Sequence, residues 1–135
     1  MKPALIDTDI ISLFLRHHPK VTNCFENYLK EHGKISFSIL TYYEILSGLK
    51  YKDAKKQLNS FLRLAEYSLI LPATVYSMEI SAGIYADLRK KGELIDDIDI
   101  IIAGIALSNN LIIVTHNQSH FKRIEGLEIE DWCKD

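Results

Sequence analysis

Three aspartates, Asp96, Asp97 and Asp99, run straight into Ile100, Ile101, Ile102, Ala103, Ile105, Ala106 and Leu107. Read as a helix, this stretch places its acids near the positive end of the helix dipole and buries its body. Asp96 and Asp99 share a face, and Asp97 points elsewhere. Capping accounts for any one of them, because Asp at the start of a helix is ordinary. Together they repel one another and call for a counter-ion, for which a divalent cation is the natural choice. Hard cations bind oxygen ligands, so the chemistry in view is that of a metal held by carboxylates.

Such a site needs further carboxylates, and the elements along the chain supply them. Ala4-Leu5-Ile6 is a short apolar run of the kind buried on both faces in a parallel sheet. Asp7 follows it, at the carboxyl end of the strand, where open α/β sheets bind their ligands. The helix that begins around Ile10 is capped by Thr8 or Asp9, and Asp7 lies too early to cap it comfortably. Ile35–Ser38 predicts a second strand, followed by a helix that carries Glu44 in its first turns, with Ser38 or Thr41 as its cap. Exposure statistics alone make Glu44 a solvent-facing residue, but its place after a strand points it back to the same sheet edge. Ser68–Leu71 predicts a third strand, and Thr74 caps a helix from Val75 to Lys91. Leu111–Val114 predicts a fourth strand running into Thr115, His116 and Asn117, and Leu127–Ile129 reads as a short edge strand.

Strands alternating with helices imply right-handed βαβ units: an α/β fold, a helix–sheet–helix sandwich with a mostly parallel central sheet. Asp7, Asp99 and Asn117 then gather at one edge, with Glu44 above them. His17 and His18 are adjacent and cannot face one ligand from a helix. Cys24 falls on an apolar helical face and reads as core. The lysines at 50, 52, 55 and 56 read first as a solvated helix face and second as phosphate contacts.

At 135 residues the chain is expected to form one domain, residues 1–135, and its 47 % hydrophobic content and net charge of −2 exclude gross disorder. No basic stripe suits tight non-specific DNA binding. Cys24 and Cys133 are too sparse for a disulfide framework or a zinc motif, so a reduced, cytoplasmic setting is expected. Met1-Lys2-Pro3 enters the first strand without a targeting segment, and the apolar run at Ile100 is too short for a membrane.

The segments L-I-D-T-D-I at Leu5–Ile10, T-Y-Y-E-I-L-S-G at Thr41–Gly48 and K-G-E-L-I-D-D-I-D-I-I-I-A-G-I-A-L at Lys91–Leu107 resemble the PIN domain. The ending from Val114 to Trp132 is similar to the VapC-type toxins within that family. The resemblance spans nearly the whole chain and implies a metal-dependent endoribonuclease, the toxin of a type II toxin–antitoxin pair. It also implies Mg²⁺ or Mn²⁺ as cofactor, with Asp7 and Asp99 as direct ligands. Glu44 is implied as a ligand through water or as the group that orients the attacking water. Asp97, Thr115 and Asn117 are candidates to support that set from outside. The chain departs from the family pattern where Asn117 replaces a frequent fourth acid, and where His120 stands beside Phe121 in place of another acid.

The resemblance implies RNA as substrate, a VapB-like antitoxin whose tail lies in a groove between helices, and a homodimer. Contact with DNA would come only through the antitoxin. Arg16, Lys90, Lys91 and Arg123 are candidate phosphate contacts, and Tyr28, Tyr42, Tyr43, Phe61 and Tyr67 are candidates to line the groove. Two other functions fit the fold: a PIN nuclease of RNA maturation that is no toxin, and a small α/β module that binds without catalysis. The second leaves the acids at three separate element ends unexplained.

Overall fold

The computed structural model describes residues 1–134. The chain folds in the order β1 (Ala4–Ile6), α1 (Thr8–Leu15), α2 (Pro19–His32), β2 (Ser36–Ser38), α3 (Ile39–Tyr51), α4 (Lys55–Glu66), β3 (Leu69–Leu71), α5 (Val75–Lys90), α6 (Asp97–Ser108), β4 (Ile112–Val114), α7 (Gln118–Phe121) and β5 (Ile129–Glu130).

Period-two alternation in the strands decides the layers. Ala4 and Ile6 of β1, with Ile112 and Val114 of β4, face a core built with Val21, Phe25, Ile45, Leu49 and Phe61 of α2, α3 and α4. Leu5 and Ile113 face the opposite way, onto Leu88 of α5, Ile102, Ile105 and Ala106 of α6, and Phe121. Helices therefore cover both faces of the sheet, as expected for strands that are apolar on both sides. Two of the expected groove aromatics belong to this interior: Phe61 is fully buried, and Tyr28 uses its hydroxyl to accept from Ala4 N at 3.0 Å. Tyr43 and Tyr67 remain exposed.

The sheet order is β3-β2-β1-β4-β5, and every pairing is parallel, including the last edge strand. The chain winds from β1 outward through β2 and β3, then returns to place β4 on the other side of β1. The crevice between β1 and β4 is therefore the topological switch point, where α/β sheets bind ligands at the carboxyl ends of their strands.

α5 and α6 pack closely because Gly104 lacks a side chain: a Cβ there would stand 2.0 Å from Ser81 Oγ and 2.6 Å from Ser77 O. Ser81 Oγ instead donates to Ile100 O at 3.0 Å, one turn into α6. This contact anchors the start of α6, which carries the acids. Thr74 and Ser77 form a reciprocal cap at the start of α5.

Several boundaries differ from those the sequence predicts. Ser68 lies in the bend after α4, where its hydroxyl donates to Leu64 O at 2.7 Å. Leu111 N bonds to Ala106 O at 2.9 Å and so closes α6 rather than opening β4. The edge strand lies one register later, at Ile129–Glu130. Trp132, 3 % exposed, covers the core margin against Phe25 and Tyr28. Among the described residues no helix is long and apolar enough to cross a membrane.

Candidate active site

Asp7 leaves β1 as an extended residue and caps α1 directly, its Oδ1 accepting from Thr8 N at 2.9 Å. The sequence reading gave that cap to Thr8 or Asp9. Both are released for other contacts, because α1 begins at Thr8, two residues sooner than its apolar pattern shows. Thr8 Oγ1 donates to Glu44 Oε1 at 2.7 Å and lies 3.0 Å from Thr41 Oγ1. This hydroxyl link draws the first turns of α1 and α3 together; Ser38 sets the start of α3 by accepting from Thr41 N at 3.1 Å.

The end of β4 supplies the other half. Thr115, fully buried, donates from Oγ1 to Asp7 Oδ2 at 2.8 Å, and the same oxygen accepts from Asn117 N at 3.0 Å. Asn117 Nδ2 donates to Asp99 Oδ2 at 3.3 Å, and His120 Nδ1 meets that oxygen at 2.9 Å. A hydrogen-bonded frame thus runs from Glu44 through Thr8, Asp7, Thr115 and Asn117 to Asp99 and His120. Asp7, Asp99 and Asn117 come together at the sheet edge, with Glu44 beside them on the α1 side.

Asp97 is not in this frame. Two residues before Asp99 is about 200° around a helix, and Asp97 is exposed beside Met78, Tyr85 and Ile101 on the α5 side. The fold thus does not bring it together with Asp7, Asn117 and Asp99 through any hydrogen bond among the described residues. Asp96 stands at the N-cap of α6 but makes no side-chain capping bond, so capping does not account for it. Of the candidate phosphate contacts, Lys91 pairs with Asp87 at 3.1 Å, and Arg123 donates to the carbonyls of Glu93 and Leu94. Lys90 ends α5, and Arg16 lines a cleft that begins at Glu44.

Two contributors escaped the sequence reading. Asp9 Oδ2 accepts from His116 N at 3.0 Å and tethers α1 to the end of β4, while its Oδ1 is buried without a partner. His120 was noted there only as a missing acid, and it grips Asp99. The spacing Asn117-x-x-His120 at the start of a short helix was the available signal, since three-apart residues share a face.

Electrostatics follow from the burial. Asp7 is 5 % exposed, and its carboxyl is pushed up to about 7, chiefly by burial, then by the charge of Asp9, and least by Asp99. The bonds from Thr115 and Thr8 work against that rise. Asp9 is also raised, mainly by burial. His116, mostly exposed, is raised by its bond to Asp131 at 2.9 Å.

Among the described residues no three His, Cys, Asp or Glu side chains stand close enough to enclose an ion by themselves. The donor set nevertheless fits a hard divalent cation that keeps several waters and takes only one or two carboxylates. The donors are oxygens, and Asp7 is a buried carboxylate whose charge is disfavoured and which, among the described residues, pairs with no Lys or Arg.

His17 lies at φ 61° between α1 and α2, and His18 caps α2 by accepting from Val21 N. Cys24 packs against the core on the α1–α4 side. Cys24→Ser and His17→Asn, the latter chosen to suit a left-handed backbone, should each leave RNA cleavage in Mn²⁺ within a few-fold of wild type. A loss of about a hundredfold, the scale of a disrupted metal shell, would put the site elsewhere.

The chain is similar to known proteins over nearly its whole length. The PIN domain family model matches residues 4–127. Ribonuclease VapC1 of Haemophilus influenzae (strain R2866) is 30 % identical, with 96 % of this chain and 98 % of the relative covered. The tRNA(fMet)-specific endonuclease VapC of Salmonella typhimurium is also 30 % identical, covering 96 % of this chain and 97 % of its own. Among solved structures, DNA-bound VapBC from Salmonella typhimurium superposes with a TM-score of 0.86 at 27 % identity, over 98 % of this chain and 100 % of that one. VapBC2 from Rickettsia felis, bound to a DNA fragment from its promoter, gives 0.84 at 25 % identity, over 96 % and 98 %.

Proposed function

The chain belongs to the PIN-domain family, and on that premise we propose that it is an endoribonuclease, the toxin of a toxin–antitoxin pair. It hydrolyses RNA phosphodiester bonds with Mg²⁺ or Mn²⁺ in the cytoplasm. One observation carries the reading at the level of chemistry: Asp7 is a carboxylate 5 % exposed, without a Lys or Arg partner among the described residues, at the switch point of a parallel sheet beside Asp99. A buried acid of this kind is costly unless an ion or a proton satisfies it.

Asp7 and Asp99 would hold the cation. When bound, it supplies Lewis-acid polarisation of the phosphoryl oxygen and eases deprotonation of water. The chain's own groups do the rest. Thr115 fixes one oxygen of Asp7 and Thr8 N the other, so the carboxylate has a single orientation. Asn117 and His120 both hold Asp99 Oδ2, so Oδ1 is the oxygen that would be available to a cation. Glu44, steadied by Thr8, orients the attacking water and accepts its proton. Asn117 keeps the place of an acid while donating to Asp99 instead of repelling it.

The partner is a VapB-like antitoxin, as in the solved complexes, with DNA reached only through it. A largely apolar groove of about 510 Å³ between α2 and α4, lined by Leu29, Ile35, Leu64 and Tyr67, suits an amphipathic tail. Expression together with the short upstream reading frame should give a copurifying complex with suppressed RNA cleavage. A chain that purifies alone, leaves cells unharmed and has no such neighbour would sink the toxin reading. Cleavage in Mn²⁺ that stops on adding EDTA would keep the nuclease reading even then.

A further inference from the structure

Two stripes of residues leave the acidic site side by side. On α1, Thr8, Ser12 and Arg16 recur every four residues, and on α3, Glu44, Gly48 and Lys52 do the same. At one end the stripes are joined by the bond from Thr8 to Glu44. From there they line a cleft of about 220 Å³, with Leu15, Ile45 and Leu49 also on its wall. The far end carries Arg16 and Lys52, eight residues on, about 12 Å of helical rise from the acids.

Gly48 is the unusual member. It sits inside α3, where glycine is worse than any ordinary residue except proline. Close packing does not explain it, because an added Cβ would meet nothing within 4 Å. With Ser12 opposite, it keeps the middle of the cleft low. The cations are unusual in another way. Among the described residues neither Arg16 nor Lys52 forms an ion pair, although Glu44 lines the same cleft. Arg16 has only a long bond from Nε to Ser12 O at 3.4 Å. Cations at helix ends are common, but two converging on one polar cleft make an anion site.

We propose that this cleft is the subsite for the RNA segment flanking the scissile phosphate, with Arg16 and Lys52 holding backbone phosphates and Gly48 and Ser12 leaving room for the nucleotide. The inference rests on the ribonuclease reading above and deepens it. An acidic site repels the polyanion it cuts, so affinity must come from cations placed beyond the acids. A continuous cleft from Glu44 to the two cations supplies that arrangement.

The test measures binding apart from cleavage. A fluorescein-labelled, single-stranded RNA of mixed sequence is titrated with wild type, Gly48→Leu, Gly48→Ala and the double variant Arg16→Ala/Lys52→Ala, in EDTA and over a range of salt. Gly48→Leu should weaken binding on the order of tenfold, comparable to losing one base or backbone contact. Gly48→Ala should melt at a higher temperature than wild type yet bind less well, which separates occlusion from misfolding. The double variant should lower the slope of log affinity against log salt by about 1.4, two phosphates at about 0.7 each for single strands. All three variants should keep the Mn²⁺-induced rise in melting temperature, because the acids are untouched.

Unchanged affinity and salt slope in the variants would overturn the subsite. So would variants that bind RNA normally but no longer capture the antitoxin, which would assign the cleft to a protein tail. Wild type that binds RNA through the cleft but leaves it uncut in Mn²⁺ would overturn the nuclease reading and uphold the subsite.

Discussion

Asp99→Asn is expected to abolish RNA cleavage and most of the stabilisation by Mn²⁺, while leaving the metal-free protein as stable as before or slightly more so. The amide keeps the shape of the carboxyl and can still meet Asn117 and His120, whose contacts converge on a single oxygen. What disappears is one negative charge beside Asp7. Wild type should melt higher as Mn²⁺ is added, because the ion binds only the folded site; at a hundredfold over Kd the gain is about 2.7 kcal/mol. A purely structural Asp99 predicts little effect of Mn²⁺ on either protein and normal cleavage by the variant. Melting curves of both proteins with and without Mn²⁺, beside one cleavage assay, decide the matter, and an active Asp99→Asn protein ends the assignment.

Asp7→Asn should remove cleavage as completely, with a loss of at least about a hundredfold, and it should also change how stability depends on pH. The Asp7 carboxyl is raised from 3.8 to about 7 in the folded protein. Between those values the unfolded chain has released a proton that the folded chain keeps, so metal-free stability falls as pH rises, by up to about 1.4 kcal/mol per pH unit. Above about 7 the whole cost is present. Asp9, also raised, adds a slope of the same sign. His116 stabilises below its unfolded value and loses that contribution as pH rises through its raised folded value.

Substitution at Asp7 alone separates its share. The variant should lose part of the downward slope between pH 4 and 7 and be the more stable protein at pH 8 without metal. An asparagine fits locally: its oxygen can take the bond from Thr8 N, and its amide can donate to Thr115 Oγ1. Mn²⁺ competes with the proton for Asp7, so its effect on wild type should grow with pH. Parallel stability–pH curves for the two proteins would remove the burial argument.

Much of this site is legible in the sequence because it rests on one-dimensional rules. A buried strand followed at once by a polar residue locates Asp7 and Thr115 at the same edge, and the switch to an apolar helix after Asp99 locates the third acid. Helical phase separates Asp99 from Asp97 just as well, although Asp97 was carried as a supporting candidate. What is not legible depends on contacts between distant segments. Asp7 looks too early to cap because its capping bond reaches only the next residue, which no periodicity announces. Asp9 and Thr8 read as caps, but their partners are His116 and Glu44, fixed by strand order. The burial of Tyr28 likewise depends on a hydrogen bond to the first strand, so composition alone makes it look surplus.

The position of β4 beside β1 has a consequence during synthesis. Asp7 and Glu44 leave the ribosome well before Asp99, and Thr115, Asn117 and His120 follow later still. Until β4 docks on β1, Asp7 lacks its Thr115 partner, Asp99 lacks both groups that hold it, and the crevice has only one wall. A chain without β4 therefore has no assembled centre with which to cut RNA. The order of the strands works as a delay: a chain that cuts RNA becomes competent only after β4 and the segment behind it have been made.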